Sequence, residues 1–168
     1  MKRGFKVMAI GVTIAATMLT GAAHALPTPN AARTFCAANA AACAGGGAAM
    51  ISATPDLMLL IKAVNREVNA SIRFESDAGN TWALNPARGD CEDFAISKRS
   101  ALVGQGVDPS ALRLAFTLTS RGAPHAVLIV RTDQGDFVLD NLDSRVKSLR
   151  SSGYRLLAMS GSSLVDWN

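Results

Sequence analysis

A change of period along the chain constrains its fold most. Up to residue 105 the apolar residues recur at helical spacing, and from 112 onward they fall into short strand-like blocks. Thr54-Pro55-Asp56 is a helix start, with Thr54 as cap, Pro55 at the first helical position and Asp56 in the first turn. Leu57, Leu60, Ile61, Val64 and Val68 give that helix one apolar face and carry it to about Ile72. A second helix is predicted from Asp90 to near Gly104-Gln105-Gly106. Strands are predicted at 112–119, 125–131 and 136–140, with a last one near 153–158. Thr132-Asp133-Gln134-Gly135 is the hairpin turn between the second and third of these. Residues 74–89 are rich in Asp, Gly, Asn and Pro and read as a loop, and residues 26–53 as irregular or partly helical. There is no internal repeat or linker. Helices followed by an antiparallel sheet predict a single α+β domain.

The N-terminus has a different purpose. Lys2, Arg3 and Lys6 form a positive head, Val7 to Leu19 is apolar, and Ala23-His24-Ala25 has the small-x-small pattern of a signal-peptidase site. The apolar run is well short of the roughly 20 residues that span a bilayer. Residues 1–25 are therefore expected to be a signal peptide and residues 26–168 the mature domain, exported and without a membrane span. The whole chain has 17 Lys+Arg and 13 Asp+Glu. Three of the bases and none of the acids precede residue 26, which leaves 14 against 13. A nearly neutral mature chain lacks the basic stripe of a nucleic-acid binder.

An exported chain meets an oxidising compartment, where cysteines pair. The three here are Cys36, Cys43 and Cys91, and an odd count leaves one thiol over. Cys36 and Cys43, close together in an Ala/Gly-rich stretch, are the expected pair. In an unbroken helix, residues seven apart lie about 10 Å apart, beyond the roughly 7 Å a disulfide tolerates. The pair forms only if the segment turns back on itself.

Gly89-Asp90-Cys91-Glu92-Asp93-Phe94 lies where the loop enters the second helix. With Asp90 as cap, Cys91 takes the first helical position, facing unpaired N–H groups and the positive end of the helix. Such a place favours a thiolate and offers donors to an oxyanion. Asp90, Glu92 and Asp93 work against this, since each opposes a nearby thiolate by like-charge repulsion. A divalent cation would reverse the local sign, and Asp and Glu oxygens suit calcium. Short acidic clusters are more often simply solvated.

His125 opens the apolar strand 126–130, and Asp140 ends the next one. With His24 in the signal segment, His125 is the one histidine of the mature chain, and any Cys–His mechanism must use it. If Arg131 pairs with Asp136 across the turn, Asp140 falls opposite Val127 and becomes a diagonal neighbour of His125 on one face. A slip of one residue would send Asp140 to the other face. A lone histidine at a strand end is more often structural than catalytic.

The run from Gly89 to Ala95 with Lys98 after it, then His125-Ala126-Val127-Leu128, Gly135-Asp136 and Val138-Leu139-Asp140-Asn141, resembles the bacterial transglutaminase-like cysteine proteinases. Phe35-Cys36 with Cys43, Leu59 through Asn69, Trp82 and Gly153-Tyr154 extend the resemblance over about residues 35–155. It implies a periplasmic, papain-like or transglutaminase-like fold with N-terminal helices packed on an antiparallel sheet. It further implies Cys91 as nucleophile, His125 as base and Asp140 as the residue that orients it. The best-known relatives clip large biofilm adhesins and need calcium, at a site that here matches Asp90 and Glu92. The expected function is therefore a monomeric, calcium-dependent thiol protease acting on an exported or cell-surface protein. The Cys91 N–H, with a side chain from Asn80, Trp82 or Asn85, is the expected oxyanion hole. Two alternatives stand beside this: a transglutaminase-type acyl transferase, and a non-catalytic calcium-binding or interaction module on the same fold.

Overall fold

The computed structural model describes residues 29–76 and 81–167. The expected signal segment and its cleavage site, His24 and Asn80 lie outside the described residues. Two short helices come first, α1 (Asn30–Ala38) and α2 (Ala40–Cys43). Asn39, at φ −132° and ψ 52°, breaks the helix between them. The break lets the chain turn back, so that Cys36 and Cys43 stand 5.6 Å apart at Cα and are bonded. Helix α3 (Pro55–Ser71) begins as its sequence dictates, with the Thr54 side chain accepting from the Leu57 N–H. It buries Ile61, Val64 and Val68, while Leu57 and Leu60 are partly buried at the margin of the core.

The segment expected to be a loop contains a small parallel pair, β1 (Arg73–Phe74) with β2 (Arg88–Gly89). Two-residue strands carry no readable alternation, and their pairing depends on the return of a distant segment. Helix α4 (Cys91–Gly104) follows, then β3 (Leu112–Leu118), β4 (Pro124–Thr132), β5 (Gly135–Leu139), β6 (Lys147–Ser148), α5 (Leu149–Ser152) and β7 (Arg155–Met159). The five long-range strands form an antiparallel sheet in the order β6-β5-β4-β3-β7. Arg131 pairs with Asp136, the register read from the turn.

Strand β4 is apolar without alternation because both of its faces are covered. Leu128 and Val130 join Leu112, Leu114 and Leu139 under the helices, in the core that also holds Phe94, Leu102 and Trp82. Val127 and Ile129 face the other way, with Ala115 and Val138, beneath Leu149, Tyr154 and Met159. Helix α4 packs on β4 and α3 packs on α4. Arg99 is fully buried and spends its guanidinium on carbonyl oxygens of Ala42, Ala44, Pro109 and Leu112. It thereby ties the disulfide segment to the entry of the sheet. Among the described residues no helix is long and apolar enough to cross a membrane.

Candidate active site

The helix that carries Cys91 is started by its acids. Asp90 caps α4, and Asp93 returns a side-chain bond to the Asp90 N–H, completing a capping box. The other oxygen of Asp93 accepts from the Ala83 N–H at 2.7 Å, which fastens the Trp82 segment to the helix start. Gly89 is required by this arrangement. A Cβ there would lie 2.2 Å from the Asp93 carboxylate. Of the three acids expected to press on the thiol, Asp93 is thus spent on backbone N–H groups and buried. It stands by the thiol in sequence but bonds away from it.

Cys91 is half-buried at the first position of α4 and is unpaired with any cysteine. Its Sγ lies 2.9 Å from Glu92 Oε2, to which the thiol donates. Burial pushes the thiol pKa up to about 12, and the bond to Glu92, the Glu92 charge and the Asp90 charge add to the effect. One contact opposes them: the Ala126 N–H points at the sulfur and favours its charged form. Since Ala126 follows His125, this contact puts the thiol beside the start of β4. Asp90, Cys91 and Glu92 each offer a ligand atom within 4.8 Å of the others.

On the sheet side, His125 Nε2 and Asp140 Oδ1 are 2.7 Å apart, and both side chains are buried. The Leu142 N–H donates to the same oxygen at 2.9 Å. The Tyr154 hydroxyl donates to Oδ2, and the Asn69 amide holds the Asp140 carbonyl at 2.8 Å. Burial alone would raise the Asp140 pKa, but the bonds from His125, Tyr154 and Leu142 together outweigh it and leave the carboxyl below its ordinary value. With Nε2 engaged, Nδ1 is the ring nitrogen of His125 left for other work.

The three expected oxyanion side chains fare differently. Asn80 is outside the described residues. The Asn85 N–H bonds Ser97 Oγ, six residues along α4 from Cys91 and hence about 9 Å from it along the axis. Trp82 is buried among Phe35, Phe116 and Trp167, and its indole N–H has no hydrogen-bond partner among the described residues. Phe116 pairs with Ala126 across the sheet, so this aromatic cluster borders the strand that meets the thiol.

Two further residues were given no role by the sequence. Lys98 is fully buried, lies over the Phe94 ring at 5.7 Å and has no hydrogen-bond partner among the described residues. Burial lowers its pKa to about 7, partly restored by the Asp140 charge. Tyr154 reaches Asp140 from the last strand connection. A lysine and a tyrosine carry no spacing signal of their own, and both entered only as parts of the resemblance.

The sequence profile described as bacterial transglutaminase-like cysteine proteinase BTLCP matches residues 21–167, further at both ends than residues 35–155. Among solved structures, Legionella pneumophila LapG in an EGTA-treated form is 24% identical with a TM-score of 0.55, over 64% of this chain and 64% of that one. The calcium-bound form of the same protein is 24% identical with a TM-score of 0.56, over 64% of this chain and 66% of that one. The match thus spans just under two thirds of the LapG chain and shows a shared fold. No curated protein matches the chain.

Proposed function

Given that the chain belongs to the bacterial transglutaminase-like cysteine proteinases, we propose that it is an exported thiol peptidase acting through Cys91, His125 and Asp140. The observation that carries this reading is the buried His125–Asp140 hydrogen bond of 2.7 Å, with His125 one residue before Ala126, whose N–H meets the helix-start cysteine. Asp140 fixes the ring with Nε2 protonated, so Nδ1 is the nitrogen that takes the Cys91 proton. The sulfur then attacks an amide carbonyl, and His125 returns the proton to the leaving amine. Water releases the acyl group from sulfur with His125 again as base. The Cys91 N–H and the Trp82 indole N–H, which has no hydrogen-bond partner among the described residues, are the donors for the oxyanion.

A calcium ion fits the donor set of this chain. Asp90 and Glu92 present hard oxygen ligands close together, whereas the Cys91 sulfur between them is a poor calcium ligand. That LapG has a calcium-bound structure supports calcium as the ion in this chain as well. When bound, the ion would supply positive charge that favours the thiolate and engages Glu92. Export rests on the leader pattern of residues 1–25, and the substrate is expected to be another exported or surface protein.

Incubating the mature protein with the secretome of its host, with and without calcium, tests the reading. New N-termini that require Cys91, His125 and calcium are expected. Isopeptide cross-links in place of new termini would instead identify an acyl transferase. Equal iodoacetamide labelling of Cys91 with and without His125 would remove the catalytic pair altogether.

A further inference from the structure

We propose that Tyr154 is a positioning residue of the site: it holds the second oxygen of Asp140 and the edge of His125, so that the dyad keeps one orientation. The proposal rests on the catalytic reading above and adds a fourth member to it.

The geometry makes the case in three steps. Asp140 has two carboxylate oxygens, and one of them serves both His125 Nε2 and the Leu142 N–H. A carboxylate held at one oxygen alone remains free to swing about its Cβ–Cγ bond, because terminal torsions of this kind are broad. The Tyr154 hydroxyl takes the other oxygen and fixes the plane of the group. The phenol ring also meets the imidazole edge to face, with centroids 5.6 Å apart. One side chain therefore restrains both members of the dyad, through its oxygen and through its ring.

The chain is shaped to deliver it. Helix α5 ends at Gly153, which adopts φ 77°, a left-handed conformation that suits glycine. The turn is closed by the Tyr154 N–H bonding Ser152 Oγ at 3.1 Å. Tyr154 then covers Val127, Ile129 and Val138 before β7 begins. The Gly153-Tyr154 element of the family resemblance thus has a physical role: the glycine aims the tyrosine at Asp140.

The composition of the chain makes the test clean. Tyr154 is its single tyrosine, and His125 its single histidine after His24. In Tyr154→Phe the ring stays and only the hydroxyl goes. Two readouts are expected to move on the mature protein. Iodoacetamide alkylation of Cys91 at neutral pH should slow about tenfold, equivalent to about 1.4 kcal/mol. The low-field NMR signal of the His125 Nε2–H should broaden or vanish as its partner gains freedom. A residue that merely fills space would leave both unchanged in this variant, and that result overturns the proposal. If Tyr154→Phe does not fold, the absorbance titration of the phenol decides. A phenol that titrates higher in wild type than in Asp140→Asn supports the bond, and equal titration refutes it. Failure of the catalytic reading is separable: if wild type and His125→Ala alkylate equally, the Nε2–H signal still judges Tyr154.

Discussion

On the sheet side of the site, His125, Asp140 and Tyr154 satisfy one another; on the helix side, Asp90, Cys91 and Glu92 crowd one another. Each oxygen of Asp140 has a donor, and its carboxyl is held below its ordinary pKa despite burial. The thiol, by contrast, donates a hydrogen bond to the neighbouring acid and is held far above its ordinary value. The sheet side is complete with what the fold provides. The helix side has negative charge that the capping box does not absorb, because that box employs Asp93 and leaves Glu92 beside the sulfur. A helix end contributes only about half a positive charge. The uncompensated charge lies at the cysteine, where the calcium ion proposed above would act.

The most severe way to break the comparison is to remove either side's central group. Cys91→Ala should reduce hydrolysis to background with a stability change of about 1 kcal/mol or less, since the position is a partly exposed helix start. Retained turnover of a mapped substrate would overturn the nucleophile assignment. Asp140→Asn should lower turnover by about 10⁴-fold by freeing the His125 tautomer. It should also alter acid stability. The Asp140 carboxylate contributes stability that is present above its unfolded value near 3.8 and lost as pH falls through its lower folded value. The variant should accordingly show a shallower acid unfolding curve by circular dichroism.

A milder change sharpens the helix side. Glu92→Gln removes one adjacent charge and leaves only a weaker, neutral amide acceptor, so the thiol should titrate lower than about 12. In chelator, alkylation of Cys91 at pH 8 should then be faster than in wild type by about tenfold or more. Calcium should accelerate wild type and leave the variant nearly unmoved. An unchanged alkylation rate in chelator would show that burial alone sets the thiol.

The smallest effect tests the neighbouring cations of α4. Arg99 satisfies itself on four carbonyls, whereas Lys98 has no hydrogen-bond partner among the described residues. With a folded pKa near 7 against 10.5, Lys98 costs stability fully below about pH 7, and the cost fades as pH rises toward 10.5. Lys98→Met should therefore stabilise by about 1–4 kcal/mol at pH 6 and by less at pH 10. Thermal melts at the two values give the sign, and destabilisation at pH 6 would mean that the Asp140 attraction outweighs burial.

Much of the architecture is legible in the sequence because its causes are local. Thr54-Pro55-Asp56 and Asp90 each start a helix with side chains that lie within three residues of the groups they bond. The four-residue turn after β4 fixes the register, and that register alone puts Asp140 on the face of His125. Turn geometry and residue chemistry thus made Cys91, His125 and Asp140 candidates, and the family resemblance gave them their roles. The rest depended on segments returning from a distance. The Cys36–Cys43 bond needed the chain break at Asn39, and the β1–β2 pair needed residue 73 to meet residue 88. Asp93 lost its place beside the thiol to Ala83, ten residues upstream. Lys98 and Arg99 would be surface residues on composition alone, yet both are buried, because α3 and the sheet close over α4 from opposite sides. Tyr154 meets Asp140 across fourteen residues, carried there by a glycine turn and the packing of α5 on the sheet. The sequence determined which groups could react, since caps, turns and alternation act over a few residues. Tertiary packing decided which of them are charged, paired and held still, since burial and hydrogen-bond supply are properties of the closed fold.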